Sequence, residues 1–582
     1  MPRLLLAATA LAAIARVACT SSGILSVTPS EWAGLSQQVG GRLYAGTPYS
    51  SPCFKDGLNS SACDSVRAGY GDELSRSNSS GAYINTQWET CQVTGAQCLL
   101  DSTDPSNEAP LQATQCQLGS VSNYYASLSV FPAGCSYLPY CVQIDVQRPE
   151  DVAAAFNFSR ATGTHLVIKN TGHDYKGRSS APNSLSLWTH HLKNLSYVPS
   201  FIPEGCSGAS PAVTAGAGVQ WGEAYALAEA NNITVVGGSD KSVGTSGGWL
   251  QGGGHSTLSN TMGLGVDRVL QFKVVTPDGQ YRTVNKCQNS DLFFALRGGG
   301  GSTFGVVLES TMLASPQVTL QAVIVSFSPN ATLTQALWTI FVDNGVQWAN
   351  AGWGGFANSD NAIYVNPKLT PSDAATSMAP LIQFGQKLVD AGVPGANVVI
   401  TTFPSFGAFF DAVVVENVAA VGDNLAIASR LIPKANFDST ASRSTLVNAL
   451  IATNTMTPNV IFLLGPPSSF PGDNTTSVTD AWRSSIYHIT VAATWNWNAT
   501  RDVKAAQYQL ASKSIDHLRA ITPDAAYQNE ADVYEPNHEV SFWGDHYSRL
   551  LQIKKKYDPE QLLDCWHCVG FNANSSRFAC YL

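Results

Sequence analysis

Three stretches of the chain carry residues able to do chemistry. The first is Val167 to Ser180, VIKNTGHDYKGRSS, where the apolar run His165-Leu166-Val167-Ile168 leads into a polar loop. Gly172 allows a sharp turn, His173 projects at the tip and Gly177 closes the loop. An imidazole presented in this way can be a base, a metal ligand, a covalent attachment point or a satisfied structural side chain. The second stretch, Gly237 to Gly265, GGSDKSVGTSGGWLQGGGHSTLSNTMGLG, holds too many glycines for a packed element. Its backbone amides can approach a flat or phosphate-bearing ligand closely. The third, Leu296 to Gly305, LRGGGGSTFG, repeats the pattern. No helix-forming run follows the glycines, so none of the three fits the dinucleotide fingerprint of a doubly wound sheet.

The elements that position these loops can be read from the pattern. Tyr140 to Val146 alternates as a strand, and Pro149 with Glu150 and Asp151 beside it opens a helix that leads into the His173 strand, a β-α-β unit. A second half follows: a helix over Trp221 to Asn231, a strand over Ile233 to Val236, the glycine loop, then a hairpin of Val269 to Val275 and Tyr281 to Asn285 about Pro277-Asp278-Gly279. From Val318 the texture changes. Strands at Val318 to Phe327, Val398 to Phe403 and Ile489 to Thr494, with a helix over Leu333 to Trp348, predict an antiparallel sheet backed by helices. The fold class is therefore α+β.

The order KNTGHDYKGRS, GGSDKSVGTSGGWLQGGGHS, LRGGGGSTFGVV resembles the FAD domain of the berberine bridge enzyme-like oxidases, of the vanillyl-alcohol oxidase (PCMH-type) superfamily. The C-terminal Tyr527-Gln528-Asn529-Glu530-Ala531-Asp532, Phe542-Trp543-Gly544 and Lys556-Tyr557-Asp558-Pro559 are similar to that family's closing segment. The resemblance implies a leader over 1–19, a cysteine-rich extension over 20–136, a two-part FAD domain over 137–317, a substrate domain over 318–520 whose sheet roofs the flavin, and a segment over 521–582 that returns to complete the FAD domain. It implies a flavin attached covalently through its 8α-methyl to His173. Many relatives carry a second, cysteinyl link in the other loop; here Asp240 stands at that position, so a single link is expected. Asn170, Thr171, Gly172, Asp174, Gly177 and Ser179 are then candidates for the pyrophosphate, with Lys169 or Arg178 supplying positive charge. Ser242, Gly244, Thr245, Gly247, Gly248 and Gly252, with Gly305 and Val307, line the other side, and Asn529 bonds the pyrimidine edge. Val243 occupies the position that gates oxygen in these relatives and implies an oxidase. Tyr527 is the expected base, with Glu530 or an acid of the substrate domain as its rival; a phenol with a pKa of roughly 10 needs a nearby positive charge or donors to serve near neutrality.

Composition restricts the classes of function. Charged residues make up 13% of 582 and the net charge is -9, so there is no basic footprint for nucleic acid. Arg3, the apolar run Leu4 to Ile14 and small residues up to Cys19 read as a removable secretory leader, too short to span a bilayer. Its removal leaves twelve of thirteen cysteines, an even number that suits disulfides in an oxidising compartment. Sequons at Asn59, Asn78, Asn157, Asn194, Asn232, Asn330, Asn474, Asn498 and Asn574 agree with secretion. The region 20–136 shows little periodicity beyond a helix near Ser30 to Val39. Gly244-Thr245-Ser246-Gly247-Gly248 fits the serine-hydrolase elbow, but Trp249 to Gly254 should not sustain the helix that elbow requires. Cys565-Trp566-His567-Cys568 has redox spacing, yet each cysteine is expected to bond a structural partner. His190-His191 has no matching ligand set and H-E-x-x-H is absent, so no metal is expected. The expected partners are a small-molecule substrate and O2, with no nucleic acid and no membrane.

Overall fold

The computed structural model describes residues 27–112, 142–415 and 420–582. The expected leader over 1–19, Cys116, Cys135 and the start of the strand predicted from Tyr140 lie outside the described residues. Val142–Asp145, Ser184–Trp188 and His165–Lys169 form the parallel part of a four-stranded sheet, and Leu43–Ala45 adds antiparallel to Val142–Asp145 at its edge. The helix Pro149–Thr162 crosses over between them. Pro149 stands in its first turn, the Asp151 carboxylate accepts from the amides of Gln147 and Arg148, and Gly163 ends it in the left-handed conformation.

The region read as lacking periodicity is tied to this sheet through its backbone. Lys169 is fully buried, and its Nζ donates to the carbonyls of Ser79, Ser80 and Ala82 at 2.6–2.8 Å. Three short helices, Ser51–Asp56, Ser61–Ala68 and Glu73–Ser77, precede that contact, after the predicted helix at Pro29–Gln38. The disulfides Cys53–Cys63, Cys91–Cys580 and Cys206–Cys287 hold segments near and far in sequence. Cys565 and Cys568 bond each other, which corrects the expectation of separate structural partners.

Leu195–Phe201, Ser210–Gly216, Val306–Leu313, Val269–Val275 and Tyr281–Val284 make an antiparallel five-stranded sheet. The strand expected over Ile233 to Val236 is shorter, Ile233–Thr234, because its partner is only Ser315–Pro316. A helix forms where none was expected: Gly248–Gly252, one turn long, with Gln251 Nε2 donating back to the Ser246 carbonyl and Gly253 ending it at φ +138°. A single turn is held by its surroundings rather than by propensity, here by Gln251, Gln528 and Asn529, whose side chains bond its own and adjacent carbonyls, which is why the glycines do not prevent it.

The remaining sheet has seven antiparallel strands in the order Asn397–Phe403, Leu320–Ser326, Asn361–Asn366, Gly354–Ala357, Ile461–Leu463, Ser485–Trp495, Asn424–Pro433. One face packs on Ala331–Ala351, Thr440–Met456 and Arg501–Arg519 around Trp338, Phe341, Leu450, Phe462, Tyr487 and Ile515, all buried. Phe356, Leu463 and His488 stand in one cross-strand row, and the two-residue period puts Ile461 and Thr490 on the same face as that row. The chain after Ile521 returns toward the glycine loops: Gln528 Nε2 donates to the carbonyls of Gly252 (3.2 Å) and Gly298.

Candidate functional site

The glycine loops, the returning C-terminal segment and the face of the seven-stranded sheet that carries Phe356 and His488 enclose a cavity of about 450 Å³. His173 reaches it on a loop whose Gly172 has φ +95°. Ser242 gives both its amide and its hydroxyl hydrogen to Asp240 Oδ1, at 2.8 and 2.9 Å. The Ser242 oxygen lies 2.6 Å from His173 Nε2. Since the single hydroxyl hydrogen is committed to Asp240, Nε2 is the donor of that bond and Nδ1 carries the lone pair. Burial lowers the His173 pKa against the raising influence of Asp240, which favours this neutral imidazole.

Asn170, Thr171, Gly172, Asp174, Arg178 and Ser179 line the cavity, as do Asp240, Val243, Gly244, Gly247, Gly248, Gly305, Val307, Tyr527, Asn529 and Glu530. Five candidates stand behind the wall. Lys169 holds the N-terminal segment, Ser242 holds His173, and the Thr245 hydroxyl donates to the Val219 carbonyl. A Cβ on Gly177 would lie 2.4 Å from Trp88, and one on Gly252 2.5 Å from Asn529. The wall suits a cofactor with many polar groups. Lys176 Nζ and Asn170 Oδ1 are buried, border the cavity and have no hydrogen-bond partner among the described residues. Gly244 passes so close to Asn170 that an added Cβ would sit 2.2 Å from Oδ1.

At the polar end of the cavity, Tyr527 is 1% exposed. Its oxygen accepts from Asn529 Nδ2 at 2.7 Å and from the Gly254 amide at 3.3 Å, and its hydroxyl faces the Trp249 carbonyl at 3.4 Å. Burial, and next the Glu530 charge, push its pKa well above the ordinary phenol. Glu530 behaves oppositely: burial would raise it, but His255, 2.9 Å from Oε1, and next His488 together hold it below the usual carboxylate value. His488 is fully buried 3.6 Å from Glu530 Oε2, and desolvation lowers its pKa to about 3. Nothing in the sequence reading singled out His255 or His488. The first lay within a quoted glycine motif, the second within an apolar strand, and only the fold brings them together. The expectation of no metal rests on His190 and His191; it does not weigh His255, His488 and Glu530, whose ligand-type atoms lie within 4.8 Å of one another. Ser246, the hydrolase candidate, is buried and bonded to the Ser310 hydroxyl (2.6 Å) and the Ala215 carbonyl (3.2 Å), which leaves it without a base.

The sequence profile of the FAD binding domain matches residues 142–285, and the berberine and berberine-like profile matches 526–565. The FAD-linked oxidoreductase ffsJ of Aspergillus flavipes is 37% identical over 594 residues, covering 94% of this chain and 93% of its own. The chain belongs to the berberine bridge enzyme-like FAD-linked oxidoreductases. Among these, the bifunctional decalin synthase calF of Penicillium decumbens is 30% identical, covering 93% of this chain and 92% of its own. The VAO-type flavoprotein MtVAO615 of Myceliophthora thermophila C1 superposes with a TM-score of 0.78 at 27% identity, over 94% of this chain and 97% of that one. A glucooligosaccharide oxidase of Acremonium strictum, with 6-S-cysteinyl, 8α-N1-histidyl FAD, shares the fold at a TM-score of 0.59 and 18% identity, over 74% and 91% of the two chains.

A berberine bridge enzyme-like oxidoreductase is an FAD enzyme, and the unpartnered Lys176 Nζ and Asn170 Oδ1 beside the cavity fit a cofactor rich in polar groups. Among the described residues no helix is long and apolar enough to cross a membrane.

Proposed function

We propose that this oxidoreductase is a secreted glycoprotein that binds FAD covalently through His173 and oxidises an apolar, hydroxyl-bearing secondary metabolite, with O2 as the final acceptor and H2O2 as product. The observation that carries this reading is the convergence of the three glycine loops on one cavity, with a neutral His173 facing it. Ser242 occupies Nε2, so attachment falls to Nδ1, the histidyl nitrogen named for the Acremonium oxidase. Asp240 occupies the turn beside it and forms no thioether, which supports a single link.

The bound flavin would accept the hydride, and the chain's own groups would orient and hold the substrate. Phe356, Ile427, Ile461 and Leu463 make the sheet side of the cavity mainly apolar, with Asn358, Asn361 and Thr490 its polar members. A sugar would lose its hydration there for few hydrogen bonds, which favours an apolar metabolite over a carbohydrate and fits the decalin synthase among the relatives. The polar end, with Glu530, His255 and Tyr527, would receive the substrate oxygen. Tyr527, held neutral, serves there as a hydrogen-bonding group, and Glu530 is the ionised one. Val243 borders the same cavity, where a small side chain leaves room for oxygen. Secretion is supported by the disulfides and by the sequons: Asn59, Asn78, Asn157, Asn194, Asn232, Asn330, Asn474, Asn498 and Asn574 are all exposed.

The test is the visible spectrum of purified protein before and after acid precipitation, with mass spectrometry of the His173 peptide. Yellow colour kept by the pellet and an FAD adduct on His173 are expected, and His173→Ala should release its flavin to acid. Colour released by acid from the wild type would refute the covalent link, and a protein that never binds flavin would refute the whole reading.

A further inference from the structure

We propose that His255, His488 and Glu530 bind a divalent first-row transition ion of the zinc class, with the ion's open positions facing the cavity. Two imidazoles and one carboxylate are a donor set that suits such ions and leaves room for a further ligand. The three come from distant parts of the chain: His255 follows Gly254 in the second glycine loop, His488 stands on Ser485–Trp495, and Glu530 lies in the C-terminal segment. Their donor atoms fall within 4.8 Å of one another. Ligands about 2.1 Å from a tetrahedral ion stand about 3.4 Å apart. The observed separations bracket that value, 2.9 Å from His255 Nε2 to Glu530 Oε1 and 3.6 Å from His488 Nδ1 to Glu530 Oε2.

The second observation is an unmet need. His488 is fully buried and, among the described residues, both of its ring nitrogens lack a hydrogen-bond partner, as does Glu530 Oε2. At 3.6 Å the His488–Glu530 approach is too long for a hydrogen bond. Leaving such donors and acceptors unsatisfied is costly, and an ion between them would use the imidazole lone pair and the free carboxylate oxygen together. The rings are held for the purpose. Trp482 and Tyr527 pack against both imidazoles, with centroids 5.3–6.2 Å apart. His255 and Glu530 are partly open to the cavity, at 14% and 17% side-chain exposure, whereas His488 is closed off behind them. An exogenous ligand would therefore reach the ion from the cavity alone. The proposal rests on reading that cavity as the substrate pocket and gives its polar end a means of gripping a substrate hydroxyl or carbonyl oxygen.

The test uses the full-length, flavin-loaded protein. It is stripped with a chelator, dialysed against zinc chloride and then against metal-free buffer, and analysed for zinc by inductively coupled plasma mass spectrometry, with flavin read by absorbance on the same sample. One zinc per chain is expected in the wild type and at least a tenfold lower zinc content in Glu530→Gln and His488→Ala. Glu530→Gln keeps the shape of the side chain, so it decides the matter should His488→Ala fail to fold. A yellow wild type holding less than about a tenth of an equivalent, or equal zinc in wild type and a folded Glu530→Gln, would overturn the ion site, leave the flavin reading intact and return Glu530 to the part of a general base. A colourless protein that still holds zinc would keep the ion site and sink the flavin reading.

Discussion

His190 shows how burial fixes a protonation state in this protein. It is 1% exposed, its Nε2 donates to Asn78 Oδ1 at 2.7 Å, and desolvation, with help from nearby Lys193, lowers its pKa to about 3. His165 and His538, each lowered to about 4 mainly by desolvation, behave alike. The unfolded chain takes up these protons near pH 6.5 while the folded chain refuses them until about 3 to 4. Unfolding therefore binds protons in that window, so stability rises with pH across it and is lost as the medium is acidified below 6.5; above 6.5 the groups contribute no slope. For His190 alone the loss between pH 7 and pH 5 is about 2 kcal/mol. Urea unfolding at the two pH values should show His190→Gln losing about that much less than the wild type, and equal losses would disprove the assignment. At this scale the sequence was legible where a residue's neighbours in the chain carry its meaning. His173 could be read from the glycine loops on either side of it. Lys169 could not: charge beside a phosphate loop suggested a ligand contact, and only the fold shows its ammonium spent on three carbonyls of a segment some ninety residues earlier.

The elements meet where the substrate-side sheet joins the returning C-terminal segment, and Arg430 is the pin. It is fully buried on Asn424–Pro433 and donates to Glu535 Oε1 (2.9 Å), Asp524 Oδ1 (2.7 Å), the Pro523 carbonyl (2.9 Å) and Thr522 (3.1 Å). Glu535 is buried too; the Ser541 hydroxyl also donates to its Oε1 and Arg519 pairs with its Oε2. Arg430→Met would keep volume but leave a buried carboxylate half-neutralised, at a cost of about 3–5 kcal/mol. The expected result is a lower melting temperature and new proteolytic cleavage between 521 and 537; a melt within one degree of the wild type would show that the pair contributes nothing net. Elements with a clear period, such as Ala331–Ala351 and Ser485–Trp495, were legible in the sequence because their apolar spacing is set by packing on one face. The helix Gly248–Gly252 was not, since a single turn is stabilised by its surroundings rather than by its composition.

Across the whole molecule, the two ends of the described chain are brought together beside the His173 loop. Gly177 packs against both Trp88 and Tyr581, the Tyr581 hydroxyl donates to the Lys176 carbonyl at 2.6 Å, and the disulfide Cys91–Cys580 joins segments 489 residues apart. This arrangement could not be read from the sequence, because cysteine spacing does not determine pairing. Its consequence is that the loop presenting His173 is buttressed by residues from both ends, so the closure of the chain and the geometry of the site are linked. A bridge closing so long a loop removes much freedom from the unfolded chain, and its loss costs about 2–5 kcal/mol. Replacing Cys91 and Cys580 together by serine should lower the thermal midpoint, and, because the segments that carry Trp88 and Tyr581 loosen against the His173 loop, it should also raise the fraction of flavin that acid releases. Measuring both on one preparation separates the effects. A lower midpoint with fully acid-stable flavin would mean that the bridge stabilises the fold without positioning the site, and an unchanged midpoint would mean that the packing of Trp88 against Tyr581 closes the chain unaided.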